Sequence, residues 1–254
     1  DHAILLRRLI RGVARKHALA ATFMAKPFAE IDGSGMHVHL SLVDRDGRNA
    51  FAQPSPGQAA GGYGHTLRHA VGGLLAAMPE SLAIFAPNAN SYRRIRPGCF
   101  APIAPNWGVN HRHVAVRIPM SDDRNLRIEH RVAGADCNPY LAMAALLAAG
   151  IDGIEKKMEL EEAFVGDAYG GRDIREIPKT LRDATVALKG SAMLRKAFGD
   201  DVIDHYVRAA EWEQEGMKLS PADLQRLARA TGRFVKLPNA GWVELNTSAV
   251  QSAH

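Results

Sequence analysis

The chain has 254 residues, 46% of them apolar and 23% charged, with a formal net charge of +5 near neutral pH. That length and composition can bury a full core as one domain or little more, and they exclude a disordered chain. The longest apolar run, Leu141 to Ile151, is too short to cross a bilayer, and no charged-apolar-small leader opens the chain, so neither a membrane partner nor secretion is expected.

Asp1 to about Ala20 predicts a helix, with Leu5, Leu6, Leu9, Ile10, Val13 and Ala14 at helical spacing and Arg7, Arg8, Arg11 and Arg15 opposite. Thr22 to Pro27 predicts a short strand, and Met36 to Leu42 a second one. Asp44 to Gly47 is a turn signal that would close a hairpin. Gly57 to Met78 predicts a helix with Leu67, Val71, Leu74 and Leu75 inward, stopped by Pro79. Pro87 to Pro105 reads as a loop with an unusual density of arginine at Arg93, Arg94 and Arg96. Strands are expected around His113 to Ile118 and Leu126 to Val132. Asp136 or Asn138 caps a helix that begins at Pro139 and runs to about Met158. A glycine-rich loop at Gly166 to Glu176 precedes helices near Lys179 to Leu188, Asp200 to Glu213 and Ser220 to Ala230. From Arg233 onward no period is clear.

Within Asp32 to Ser41 the chain reads DGSGMHVHLS. Strand alternation puts His37, His39 and Ser41 on one face and Val38, Leu40 and Leu42 on the other, which suits a core. Two imidazoles and a hydroxyl on a packed strand fit a site, though a pair of hydrogen-bonded histidines on a half-exposed strand fits as well. In RIEHR, alternation likewise groups Arg127, Glu129 and Arg131, while Arg112 and Arg117 flank the neighbouring strand. A carboxylate and an imidazole can hold a divalent cation, and arginines neutralise phosphate oxygens through a planar fork of donors. Phosphoryl transfer needs that combination, and no GxxxxGK[ST] loop is present. No basic run is interleaved with aromatics, so nucleic acid is not an expected partner. Cys99 and Cys137 lack metal-ligand spacing and fit free thiols in a reducing cytoplasm, the expected location.

ATFMAKP at Ala21, DGSGMHVHLS at Asp32, NSYRRIRPG at Asn90, and RIEHR running on to NPYLAMAALLAAGIDGI resemble, in order, the catalytic domain of glutamine synthetases. The resemblance covers about 1–154 and continues more weakly to about 215. It implies an α+β fold of the glutamine synthetase/guanido kinase-like kind, a largely antiparallel curved sheet with packed helices. Residues 1–215 would form the catalytic domain and 216–254 a divergent helical tail. The resemblance further implies ATP-dependent formation of γ-glutamyl phosphate and its attack by an amine, with ATP and Mg2+ or Mn2+ as cofactors and a homo-oligomeric ring as assembly.

By matching position, His37 and Glu129 resemble metal ligands, and His39 and Ser41 the ATP-contacting pair, with Arg124 a further basic ATP contact. Asp32 and Gly33 resemble the segment that holds the glutamate amino group, and Arg94 the partner of its α-carboxylate. Arg112, Arg117 and Arg131 resemble the cluster around the transferred phosphoryl group. Phe100 stands where the ammonia-using members carry a glutamate that attracts and deprotonates ammonium, and phenylalanine cannot accept a proton. The WGVNHR segment from Trp107 is similar to γ-glutamylpolyamine and other γ-glutamylamide synthetases. An organic amine is therefore the expected acceptor, with Phe100 or Trp107 offering it an aromatic face. Glutamine synthetase proper is the second reading, and an inactive member with a structural role is the third.

The family's N-terminal β-grasp domain and its metal-binding glutamates are not in the sequence, and the 254-residue chain by itself is not expected to turn over ATP. Tyr169 stands near an adenylylated tyrosine of some bacterial members, but its neighbours Gly166, Asp167, Gly170 and Gly171 differ from that motif, so this regulation is not expected.

Overall fold

The computed structural model describes residues 1–52, 63–170, 175–215, 234–237 and 241–244. Two compact units are distinguished, Asp1–Glu211 and Trp212–His254. In chain order the first unit carries α1 (His2–Lys16), β1 (Val38–Leu40), α2 (His65–Phe85), β2 (Trp107–Val109), β3 (Val116–Ile118), β4 (Ile128–His130), α3 (Pro139–Glu155), α4 (Leu181–Lys189) and α5 (Ala192–Phe198). It also holds most of α6 (Asp200–Glu215). In the second unit β5 (Phe234–Leu237) and β6 (Gly241–Glu244) pair antiparallel. The sequence shows no period there, because two four-residue strands give alternation too little length to register. The helix expected at Ser220 to Ala230 lies outside the described residues, as do 53–62 of the stretch before α2 and 171–174 of the glycine-rich loop.

The four-stranded sheet has the order β1-β4-β3-β2. β1 and β3 each run antiparallel to β4, and β2 runs parallel to β3. Alternation divides the sheet as the sequence predicts. Val116, Ile118 and Ile128 are buried in the core, and Met36, Val38, Leu40 and Leu42 pack against it. Strand β2 escapes a sequence reading because Trp107, Gly108 and Val109 sit in a loop-like context. The short strand expected at Thr22 to Pro27 does not form. There the Asn90 side-chain amide stands in for a neighbouring strand, accepting from the Lys26 N–H at 2.9 Å and donating to the Lys26 carbonyl at 2.8 Å. At the expected turn, Gly47 adopts φ +78° and a single bridge joins Val43 to Asn49.

Helix α2 is the hub of the core, with 14 of its 21 residues buried, Leu67, Val71, Leu74 and Leu75 among them. It does not stop at Pro79 but continues to Phe85. Proline removes one backbone hydrogen bond there at a cost of about 3 kcal/mol, and the burial of Leu82, Ile84 and Phe85 beyond it outweighs that. Helix α3 crosses α2 at close range. A Cβ on Gly73 would lie 2.2 Å from the Ala149 carbonyl oxygen, and one on Gly153 2.2 Å from that of His69. Asn138 caps α3, its side chain accepting from the Tyr140 and Leu141 N–H groups, with Pro139 in the first turn.

His130 points to the core side of β4, its ring 4.7 Å from that of Phe85. Complete burial, reinforced by His37, lowers its pKa to about 3. In the unfolded chain an imidazole titrates near 6.5, so between these values the unfolded state holds a proton that the folded state does not. The stability contributed by neutral His130 is complete above about pH 6.5 and falls as pH drops toward 3. At pH 5 the loss amounts to roughly 2 kcal/mol. Urea midpoints at pH 7 and pH 5 should differ less in His130→Gln than in the unsubstituted protein, and an unchanged difference would contradict this.

Candidate active site

The outer face of the sheet carries one row of polar residues across three strands. His39 on β1 is the cross-strand partner of Glu129 on β4, and Glu129 is the partner of Arg117 on β3. Pleating therefore projects all three from one face, while their neighbours point to the core. His37 and Arg131 stand two residues along and join the same group.

Glu129 is the centre, only 3% exposed. Arg117 Nη1 donates to its Oε2 at 3.0 Å, and Arg131 Nη1 to its Oε1. His37 Nδ1 lies 3.2 Å from Oε1. Burial alone would push the Glu129 carboxyl up, but Arg131 and Arg117 outweigh it and hold it below the usual carboxylate range. Partial burial, together with Arg131, holds the His37 imidazole below its ordinary value against the opposing pull of Glu129. His37 is thus predisposed to be neutral, the form that ligates a metal. The Nε atoms of Arg117 and Arg131 are buried without a hydrogen-bond partner, so the cationic side of the group has unspent donors.

An imidazole and a carboxylate converging in this way fit part of the ligand set of one divalent cation, whose remaining positions waters and phosphate oxygens would fill. Both carboxylate oxygens are engaged by guanidinium, and among the described residues no group of three or more His, Cys, Asp or Glu side chains could hold a metal.

Arg94 approaches from the loop that follows α2. It is 5% exposed, and its Nη1 and Nη2 donate to the Val132 and Arg131 carbonyls at 2.9 and 3.3 Å. Two of its five N–H donors are thereby used, leaving the others for a ligand. The Ala89–Arg93 3₁₀ turn that presents it is held by Asp136, which accepts from Asn88 Nδ2 at 3.0 Å and Ser91 Oγ at 2.6 Å. Glycine is needed beneath it, since a Cβ on Gly35 would lie 2.8 Å from Arg94 Nη2. Gly33 is equally close, with its Cβ position 2.6 Å from the Ala25 carbonyl oxygen and 3.1 Å from Arg94 Cγ. Asp32 beside it is exposed.

His37, Glu129, Arg117 and Arg131 are therefore one contact group, with Arg94 reaching it through the backbone of Arg131 and Val132. Other expected site residues stand apart from it. Arg112 is exposed and its side chain makes no hydrogen bond or ion pair among the described residues. Ser41 and Arg124 are exposed too. The cation that meets His39 is Arg127, whose Nε lies 3.2 Å from His39 Nδ1. Its alternation with Glu129 was the available signal. Asp136 was legible only as a helix cap; its link to the Arg94 loop depends on residues 45 and 48 positions away.

Trp107 is not available to a ligand. It is 5% exposed, its indole N–H donates to the Glu161 carbonyl at 2.8 Å, and its ring meets Tyr63 edge-on. Phe100 differs in being 61% exposed and in holding a left-handed φ of +55°.

Residues 1–227 match the model of the glutamine synthetase catalytic domain. The chain belongs to the glutamine synthetase family. It is 42% identical over 213 residues to the γ-glutamylethanolamide synthetase GlnA4 of Streptomyces coelicolor, covering 84% of this chain and 44% of that protein. It is 46% identical over 202 residues to the γ-glutamylputrescine synthetase PuuA of Escherichia coli, covering 79% and 41%. A glutamine synthetase of Thermus thermophilus is 36% identical over 227 residues, covering 87% and 50%. A solved structure, apo GmaS without ligand, superposes with a TM-score of 0.72 at 32% identity, covering 89% of this chain and 52% of the other. The chain thus spans about half the length of the relatives it matches. No helix among the described residues is long and apolar enough to cross a membrane.

Proposed function

We propose that the protein is an ATP-dependent ligase that activates glutamate as γ-glutamyl phosphate and joins it to an organic amine. Arg117 and Arg131, gathered on Glu129, would offset charge on the moving phosphoryl group, with Arg112 from the adjoining loop. Arg94 would hold the glutamate α-carboxylate, and Asp32 with Gly33 its amino group. His39, Ser41 and Arg124 would contact ATP, with Arg127 added through its contact to His39. His37 and Glu129 would hold one divalent cation, Mg2+ or Mn2+, which would supply further charge neutralisation at the phosphates. Residues 1–215 would form the catalytic portion, 216–254 the tail, and the assembly would be a homo-oligomeric ring in the cytoplasm.

The amine, as distinct from ammonia, rests on the exposed Phe100 at the tip of the loop that begins with Arg94. A ring face attracts an alkylammonium while offering no carboxylate to ammonium. GlnA4 and PuuA, named for ethanolamide and putrescine products, support the same choice. Turnover of the full-length protein with glutamate, ATP and Mg2+ should give kcat/KM at least about tenfold higher for ethanolamine or putrescine than for ammonium, a difference of ~1.4 kcal/mol in transition-state binding. A preference for ammonium would return the reading to glutamine synthetase proper.

A further inference from the structure

Phe100 offers no carboxylate to the incoming alkylammonium, which has to lose a proton before its nitrogen can attack. A cluster of rings gathers on His113, beside Phe100. The Phe100 ring centroid is 5.9 Å from that of His113, and His113 lies 5.1 Å from Tyr169 and 5.9 Å from His111. The Tyr169 hydroxyl donates to the Ala101 carbonyl at 3.1 Å, which ties the 161–170 segment to the Phe100 loop. Cys99, Arg131 and Arg94 act electrostatically on the Tyr169 hydroxyl, and the loop that carries Phe100 begins at Arg94.

The two histidines of the cluster are differently committed. His111 Nε2 donates to the Gly166 carbonyl at 2.8 Å, and its Nδ1 accepts from the His113 backbone N–H at 3.2 Å. Both its ring nitrogens are thereby spent on holding the loop. Neither ring nitrogen of His113 makes a hydrogen bond among the described residues, although the side chain is half-buried. Among the described residues the rings facing His113 are Phe100, Tyr169 and His111; Arg112 is next to it in sequence, and Asp167 accepts from the Tyr169 N–H at 2.9 Å. Among these, His113 is the group with a free lone pair suited to proton transfer.

We propose that His113 accepts the proton of the incoming alkylammonium, in an acceptor subsite walled by Phe100 and Tyr169. This rests on the amine-ligase reading above. The aromatic faces attract the cation. One N–H proton passes to a ring nitrogen of His113, and the freed lone pair attacks the γ-carbonyl carbon of the acyl phosphate, forming the C–N bond. The bond from that carbon to the phosphate oxygen breaks, and phosphate leaves with the electron pair and the second nitrogen proton. His113 then returns its proton to solvent.

The test compares His113→Gln with the unsubstituted full-length protein using two acceptors, ethanolamine and hydroxylamine, the second being already neutral near neutral pH. Loss of a base should lower kcat with ethanolamine by about 100-fold. With hydroxylamine the loss should be smaller than about threefold, and the ethanolamine deficit should shrink as pH rises and free amine accumulates. Equal losses with both acceptors, or no loss with either, would overturn the assignment while leaving the ligase reading intact. An unsubstituted protein that uses only ammonium would overturn the amine-ligase reading itself, and the alkylammonium subsite with it. Should His113→Gln fail to fold, nitrogen NMR of the His113 ring in the unsubstituted protein replaces it. A shift on adding ethanolammonium supports the contact, and an unmoved ring at saturating amine overturns it.

Discussion

Replacing Glu129 by glutamine is expected to lower the free energy of unfolding by about 3 kcal/mol, although only one atom type changes. The carboxylate is buried, and the guanidinium groups of Arg117 on β3 and of Arg131 just past β4 converge on it. Removing its charge leaves Arg117 and Arg131 facing each other, little exposed and uncompensated. Breaking a buried pair by removing one partner is costly for that reason, even where the intact pair adds little net stability. A second substitution should reveal the mechanism. In Glu129→Gln combined with Arg131→Met, one of the stranded cations is gone, and part of the lost stability should return. Urea unfolding of the four proteins of this cycle gives the coupling energy directly. A cost below about 1 kcal/mol for Glu129→Gln would mean that the carboxylate is not the charge centre of the sheet.

The second large effect is expected at the α2–α3 crossing. In Gly73→Ala a methyl group would be placed 2.2 Å from the Ala149 carbonyl oxygen, and in Gly153→Ala 2.2 Å from that of His69. The obstructing atoms are helix backbone, which cannot swing aside as a long side chain would. The two helices have to separate, and α2 carries much of the core with it. Each substitution should cost about 3 kcal/mol or more, a fall in Tm of roughly 10 °C for a domain of this size. Gly150→Ala is the internal control. It lies one helical turn from Gly153 on α3, yet nothing is within 4 Å of its Cβ position. There the better helix propensity of alanine should leave stability unchanged or raise it by up to about 1 kcal/mol. Similar losses at Gly150 and Gly153 would refute the close crossing.

The histidine strand shows what a sequence reveals and where it stops. Alternation alone separated His37, His39 and Ser41 from Val38, Leu40 and Leu42, because a strand permits no other division. The Glu129 face was legible in the same way. Alternation also placed Arg131 beside Glu129, but that His37 and Arg117 join them was legible only through the family resemblance, since strand pairing is non-local and alternation does not say which strands are neighbours. Arg112 and Arg124 came from matching by position and are exposed; Arg127, which alternation groups with Glu129, is the residue that touches His39. The readings that failed share one cause. Pro79 and Thr22 to Pro27 were judged by local preference, and in each place distant residues supplied what the local backbone lacked: core burial around α2 in the first and the Asn90 amide in the second.

The row formed by His39, Glu129 and Arg117 has a consequence for quality control during folding. Each of these residues alternates with a core residue, so a slip of one position in β4 would turn Glu129 inward and expose Ile128 or His130, and one in β1 would turn His39 inward and expose Val38 or Leu40. The same error would dismantle the polar face and open the core together. A misregistered sheet could not persist as a stable impostor that had merely lost its ligands. Compactness and chemical competence are checked by one event, the closing of three strands in register.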